Sequence, residues 1–166
     1  MSNITDFLRP SGGGGLKPKY QEFLTSGTFT PTQALLDAGG VINVFIVGGG
    51  WKSGGEVIMQ YNTLTTITGC AVTIGAQGGS SSFIGSSAGG TNITSLGGSY
   101  SHTQTLKLGS GWAAEGTDNT AGSGSFGYGA GGGDYTGRGI QNGKPNSGQG
   151  GYSSGGSGYC LITWGE

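Results

Sequence analysis

Val41-Ile-Asn-Val-Phe-Ile-Val47 runs without a break into Gly48-Gly-Gly50, and this junction decides the fold. Six of its first seven residues are β-branched or aromatic, types that suit a pleated, half-buried surface. The glycines that follow have no side chain to bury and end the strand abruptly. Working outward, the same strand character returns in Tyr20–Thr30 around a Ser26-Gly27 turn, in Glu56–Tyr61 and in Ala71–Ile74. Shorter strand candidates are Ser82–Ile84, Ile93–Leu96 and Thr103–Leu108, and Tyr159–Trp164 is placed to close a sheet. Thr32–Ala38 is the one helix-compatible stretch after the N-terminal segment, and Gly39-Gly40 stops it within two turns. Several short strands separated by turn signals predict an all-β, jelly-roll-like sandwich.

Glycine supplies 41 of the 166 residues and charged residues only 9%. Hydrophobic residues make up 33%, so the core is thin for a single domain of this length. Residues 1–18 form an N-terminal segment with Pro10, the run Gly12–Gly15 and Pro18. Its apolar residues Ile4, Phe7 and Leu8 follow helical spacing, as an attachment arm before a flexible linker would require. Residues 19–166 form the glycine-rich sandwich domain. Within it, 109–158 is a glycine-rich loop region that is either disordered or built from packed polyglycine II helices. The packed alternative satisfies backbone groups between neighbouring tracts, and both ends of the region are anchored by strands.

A formal net charge of −1 argues against nucleic acid or an anionic membrane surface as partner. The apolar run Val44–Val47 is far too short for membrane insertion, and the N-terminus lacks the pattern of a secretory signal. Cys70 and Cys160 read as two buried thiols, with a bridge open only if their strands are neighbours. No metal or cofactor is expected, because His102 is the single histidine and no CxxC pair exists.

The order of these blocks over about 145 residues resembles the glycine-rich receptor-binding domains at the tips of bacteriophage tail fibres. Tyr20–Pro31 is similar to the family's first strand, and Val41–Val47 with Gly48–Gly50 to its central strand. Val72–Gly79, Ser80–Ile84 and Ala88–Gly90 resemble the next block, and Gly155–Trp164 the tract feeding the last strand. The resemblance implies a non-catalytic adhesin of the virion, made in the host cytoplasm and carried as a homotrimer on the tail fibre or baseplate tip. It would join other tail or baseplate proteins through the arm and bind a bacterial glycan, pilus or outer-membrane protein. A purely structural virion protein and a surface-polysaccharide depolymerase are the alternatives.

Trp51, Trp112, Tyr128, Tyr135, Arg138 and Tyr152 are the candidate receptor contacts, since each sits among glycines or small residues. Rigid aromatics in a Gly/Ser background anchor contact in antibody paratopes. Packing over glycine tracts is the competing use of the same side chains. Gly122–Gly127 and Gly127–Gly132 both satisfy G-x-G-x-x-G, but neither joins an apolar strand to a helix. Gly48–Ser53 has Trp51 where a phosphate-binding loop needs glycine before its lysine. His102 lacks a local nucleophilic context, and Glu115, Asp118 and Asp134 read as solvated loop acids.

Overall fold

A computed structural model describes residues 15–51, 54–98, 110–111, 145–151 and 154–166. These residues form two antiparallel sheets. The first contains β1 (Pro18–Phe23), β3 (Val41–Val47), β4 (Val57–Thr63), β8 (Ser110–Gly111) and β9 (Tyr159–Gly165), in the order β1-β9-β3-β4-β8. The second orders β2 (Gly27–Phe29), β5 (Cys70–Thr73), β6 (Ser81–Ile84) and β7 (Asn92–Ser95) as β2-β5-β6-β7. The all-β sandwich expected from the strand pattern is what the chain adopts. One short helix, α1 (Gln33–Asp37), crosses between the sheets, and its cap is the Thr32 hydroxyl accepting the Leu35 N–H at 3.0 Å.

The last strand does not close the sheet at an edge. β9 lies between β1 and β3, with Phe45 opposite Leu161 and Glu22 opposite Leu161 on the other side. This explains its near-continuous apolar sequence, because a central strand has neighbours along both sides. The edge is β1 instead. Lys17 and Glu166 exchange backbone hydrogen bonds, so Pro18 stands where its missing N–H would face away from β9 and costs no ladder bond. The sheet therefore takes in residues slightly before position 19.

Alternation along β3 divides the apolar residues between two faces. Ile42, Val44 and Ile46 point into the core between the sheets, with Phe23, Cys160 and Ile162 from the same sheet and Phe29, Cys70, Val72, Phe83 and Ile93 from the other. Phe29 is the hinge of this core, edge-on to Trp164 at 5.2 Å and tilted against Phe83 at 6.5 Å. Phe45, Val47, Val57, Tyr159 and Leu161 form a second buried cluster on the outer face of the five-stranded sheet. Each fully buried aliphatic or aromatic side chain contributes roughly 1.5–3 kcal/mol relative to exposure.

Polar side chains tie the sheets together where apolar packing stops. Asn62 of β4 donates to the Thr91 carbonyl at 2.7 Å and accepts the Thr91 N–H at 2.9 Å, so one amide replaces a ladder pair across the sandwich. At the opposite end, the Ser81 hydroxyl donates to the Val47 carbonyl at 2.6 Å and accepts the Gly75 N–H at 2.9 Å.

Cys70 and Cys160 belong to opposite sheets and both are free thiols, so the bridge left open by the sequence is not formed. Burial pushes the Cys160 thiol up to about 12 and raises Cys70 as well, although its contact with Ser87 opposes the shift. Neither thiol is therefore a nucleophile at neutral pH. Native protein at pH 8 should leave both unlabelled by a thiol reagent, and unfolding should expose two equivalents.

The Glu166 carboxylate accepts from the Thr32 hydroxyl and the Trp164 indole N–H and lies 3.4 Å from the Lys19 ammonium. These contacts, the Thr32 hydroxyl foremost, hold its carboxyl below the usual range. A lowered folded-state value gives stability that is present above the unfolded glutamate range and is lost as pH falls through the folded value. The Glu166→Gln variant should melt lower than the parent at pH 7. The difference should narrow as both are titrated from pH 5 toward pH 3.

Candidate functional site

The ends of the strands at one pole of the sandwich run into glycine. β3 continues into Gly48–Gly50, β5 into Ile74-Gly75, β7 into Leu96–Gly98, and Gly158 leads directly into β9. Four tracts thus arrive at the same place, and there they pack against one another. Gly49 donates to the Gly79 carbonyl and accepts from Gly98, each at 2.8 Å. Gly50 donates to Gly156 at 2.8 Å and accepts from Gly78 at 3.0 Å, while Gly48 donates to Glu56 at 3.0 Å. Gly151 donates to the Trp51 carbonyl.

A strand in a sheet has two hydrogen-bonded neighbours. The tract 48–51 bonds to 56, 78–79, 98, 151 and 156, so its bonds radiate in several directions. The outer tracts bond among themselves too: Gly55 to Gly148, Gly148 to Ser157, Gly156 to Gln149 and Gly158 to Gly75. Such packing tolerates no Cβ. One built on Gly49 would run into the Ala76 carbonyl, on Gly55 into the Gly48 carbonyl, and on Gly155 into the Gly50 carbonyl.

Among the described residues the packing includes 48–51, which lie before the 109–158 region where the density of glycine predicts it; 112–144 and 152–153 lie outside the described residues. Within that region, residues 145–151 and 154–158 do join the packing. The missed signal was positional: three short glycine tracts each begin within one residue of a strand's end, and a fourth ends directly before a strand.

Two further features stabilise the pole. Glu56 is buried, and its carboxylate accepts the Leu96 N–H at 2.9 Å while its backbone carbonyl accepts from the Ser95 hydroxyl. Ser157 accepts the Asn146 N–H at 2.9 Å, which supports Asn146 in the left-handed region at φ 53°.

Every internal stretch outside the described residues begins and ends at this pole. Residues 52–53 leave from Trp51 and return at Gly54. Residues 99–109 leave from Gly98 and return at β8, which pairs with Val57 and Ile58 at the glycine end of β4. Residues 112–144 leave from β8 and return at Pro145, just before the packed 146–149. Residues 152–153 lie between Gly151 and Ser154. The chain enters β1 at the opposite pole, where Lys17 pairs with Glu166. The two poles are about 20 Å apart along the seven residues of β3.

Of the candidate contacts, Trp51 stands at the glycine pole, 41% exposed, with its ring against Gly78. Its ring covers a glycine tract on one side and is open to solvent on the other. Trp112, Tyr128, Tyr135, Arg138 and Tyr152 lie outside the described residues, as do Ile4, Phe7 and Leu8 of the arm and the acids Glu115, Asp118 and Asp134. The N–H groups of Gly48, Gly49 and Gly50 all donate to carbonyls of other tracts, so none is available to cradle a phosphate. Among the described residues, no three His, Cys, Asp or Glu side chains gather as a metal site.

The alanine variants Gly49→Ala and Gly155→Ala should each lose roughly 1–3 kcal/mol or more, because the obstacle is backbone. Thermal midpoints should fall by several degrees, at about 2–4 °C per kcal/mol for a domain of this size. Gly27→Ala should cost less, since its Cβ would meet only the movable Phe23 ring at 3.2 Å. Equal losses at the three positions would contradict the packing described. No family model, curated protein or solved structure matches the chain.

Proposed function

We propose that this chain is a receptor-binding protein of a bacteriophage tail tip, which adheres to the bacterial surface without catalysis. The observation that carries this reading is the polarity of the sandwich. Four internal stretches, which include Trp112, Tyr128, Tyr135, Arg138 and Tyr152, are all rooted in the glycine-packed pole, while the N-terminal segment joins at the other. A protein that must be held at one end and make contact with the other needs that division.

The glycine packing supports the same reading. Loops that carry function gain from a rigid base, because disorder at the roots would add to the entropy lost on binding. With all six candidate contacts set among glycines or small residues, affinity per site would be modest. Presentation in several copies would then raise it, since linked weak sites gain roughly 10²–10⁴ in avidity. The resemblance to tail-fibre tips points in the same direction.

The test is binding of labelled full-length protein to bacterial strains lacking pili, long lipopolysaccharide chains or single outer-membrane proteins. Saturable binding that disappears with one receptor class is the expected result. A variant with residues 112–144 replaced by a short Gly-Ser linker between Gly111 and Pro145 should keep the fold and lose binding. If folded parent protein binds no strain, the reading fails and a structural place in the virion takes its place. Release of reducing sugar ends from host glycans would instead make the protein a depolymerase.

A further inference from the structure

Among the described residues β1 is the longest edge strand, at six residues. β8, at the other edge of its sheet, has two, and the edges of the second sheet, β2 and β7, have three and four. β1 pairs with β9 along one side only. Lys17 and Glu166 exchange both backbone bonds, so alternation turns Lys19, Gln21 and Phe23 toward β9 and Pro18, Tyr20 and Glu22 toward the open side. Pro18 has no N–H to offer there. The backbone groups of Tyr20 and Glu22 have no hydrogen-bond partner among the described residues. The surroundings are open as well: Glu22 is exposed, Tyr20 is 70% exposed, and Leu24 just beyond the strand is 47% exposed. An unpaired edge of this length, flanked by exposed apolar side chains, is a template for another strand.

We propose that β1 pairs antiparallel with β1 of a second copy of the chain, so that one sheet runs through both. The two-fold axis stands perpendicular to the sheet and passes between the two Gln21 residues. The edge itself selects this occupant and this register. With Tyr20 opposite Tyr20, Glu22 would face Pro18 and find no donor. With Glu22 opposite Glu22, two carboxylates would meet, which is unfavourable. Centred on Gln21, Tyr20 of each copy stands opposite Glu22 of the other. The two residues then exchange both backbone bonds, and symmetry repeats the exchange, so every outward group of Tyr20 and Glu22 is satisfied. Pro18, the residue without a donor, falls opposite Leu24, beyond the last residue of the strand.

The side chains fit the same occupant. Tyr20 and Glu22 share one face, so each tyrosine ring lies beside the stem of the facing glutamate, whose carboxylate already accepts the Tyr159 hydroxyl at 2.8 Å. Leu24 gains cover from Pro18 of the second copy. On the other face Gln21 meets Gln21, whose amides both donate and accept, and Lys19 faces Phe23. No like charges stand opposite one another. β1 is antiparallel to β9, and β9 to β3, so β1 runs toward the glycine pole. Antiparallel pairing therefore points the two glycine poles in opposite directions. The inference does not depend on the receptor-binding reading. If both hold, one pair carries a set of loops at each end. The copy number is two, against the three implied by the tail-fibre resemblance.

Sedimentation equilibrium of the full chain over micromolar concentrations tests this. The expected mass is twice the 16.4 kDa of the chain. Tyr20→Pro removes an N–H that β9 does not use, and should keep the circular dichroism of the parent while its dimer dissociates at least tenfold more readily. Crosslinking reads the register without touching the backbone bonds. Gln21→Cys sets a thiol opposite that of its own copy and should give a covalent dimer on oxidation with diamide, since Cys70 and Cys160 are buried. Leu24→Cys lies on the same open edge but away from its own copy, and should remain a single chain on a denaturing gel. A mass of one or three chains at every concentration overturns the proposal. So does a dimer that Tyr20→Pro leaves unchanged, or one that Leu24→Cys links in preference to Gln21→Cys. Cell binding is a separate readout, so parent protein that adheres as a monomer overturns this inference alone.

Discussion

The structure depends on one constraint: where backbone packs against backbone, every N–H needs a carbonyl and no side chain can stand between them. At the glycine pole this is met by bringing carbonyl oxygens to positions that a Cβ would otherwise occupy, as at Gly49 against Ala76 and Gly155 against Gly50. Glycine loses more conformational freedom on folding than any other residue. The tracts hydrogen-bond one another through their backbones, and four strands deliver them already aligned.

The sandwich below acts as the aligning device. Its core is small, with Phe29 edge-on to Trp164, tilted against Phe83, and the aliphatic side of β3 beneath. Polar ties complement it at both ends. Asn62 links β4 to Thr91 far from the glycine pole, and Ser81 links Val47 to Gly75 at its base. The second tie matters for the pole, since it holds the exit of β3 against the exit of β5. The Glu56 side chain accepts the Leu96 N–H, which fixes the exit of β7 against the start of β4.

Much of this was legible in the residues. The strand at Val41–Val47, the turn at Ser26-Gly27 and the helix capped at Thr32 follow from local chemistry that tertiary contacts do not override. The interior position of β9 was not, because a run such as Tyr-Cys-Leu-Ile-Thr-Trp suits a central strand or a covered edge equally. The glycine packing expected in 109–158 takes in residues 145–151 and 154–158, but it also draws in tracts at 48–51, 75–79 and 97–98 that the expectation left out. Density of glycine drew attention to 109–158, whereas packing is governed by which tracts share a pole, and that is a property of topology. Sheet register sets Tyr20 beside Thr163, 143 residues away, and no local pattern announces it.

Fixed anchors for the four internal stretches have an evolutionary consequence. The closure entropy of a loop rises slowly with length, by only about 0.6 kcal/mol for each doubling. With the roots of each stretch held largely by backbone hydrogen bonds, residues can be inserted, deleted or exchanged between them without repacking the core. The same chain can therefore explore new tips while the alignment of its strands stays as it is. Change between the anchors would cost little stability, whereas the glycines at the anchors meet backbone where a Cβ would go and are the least free to change.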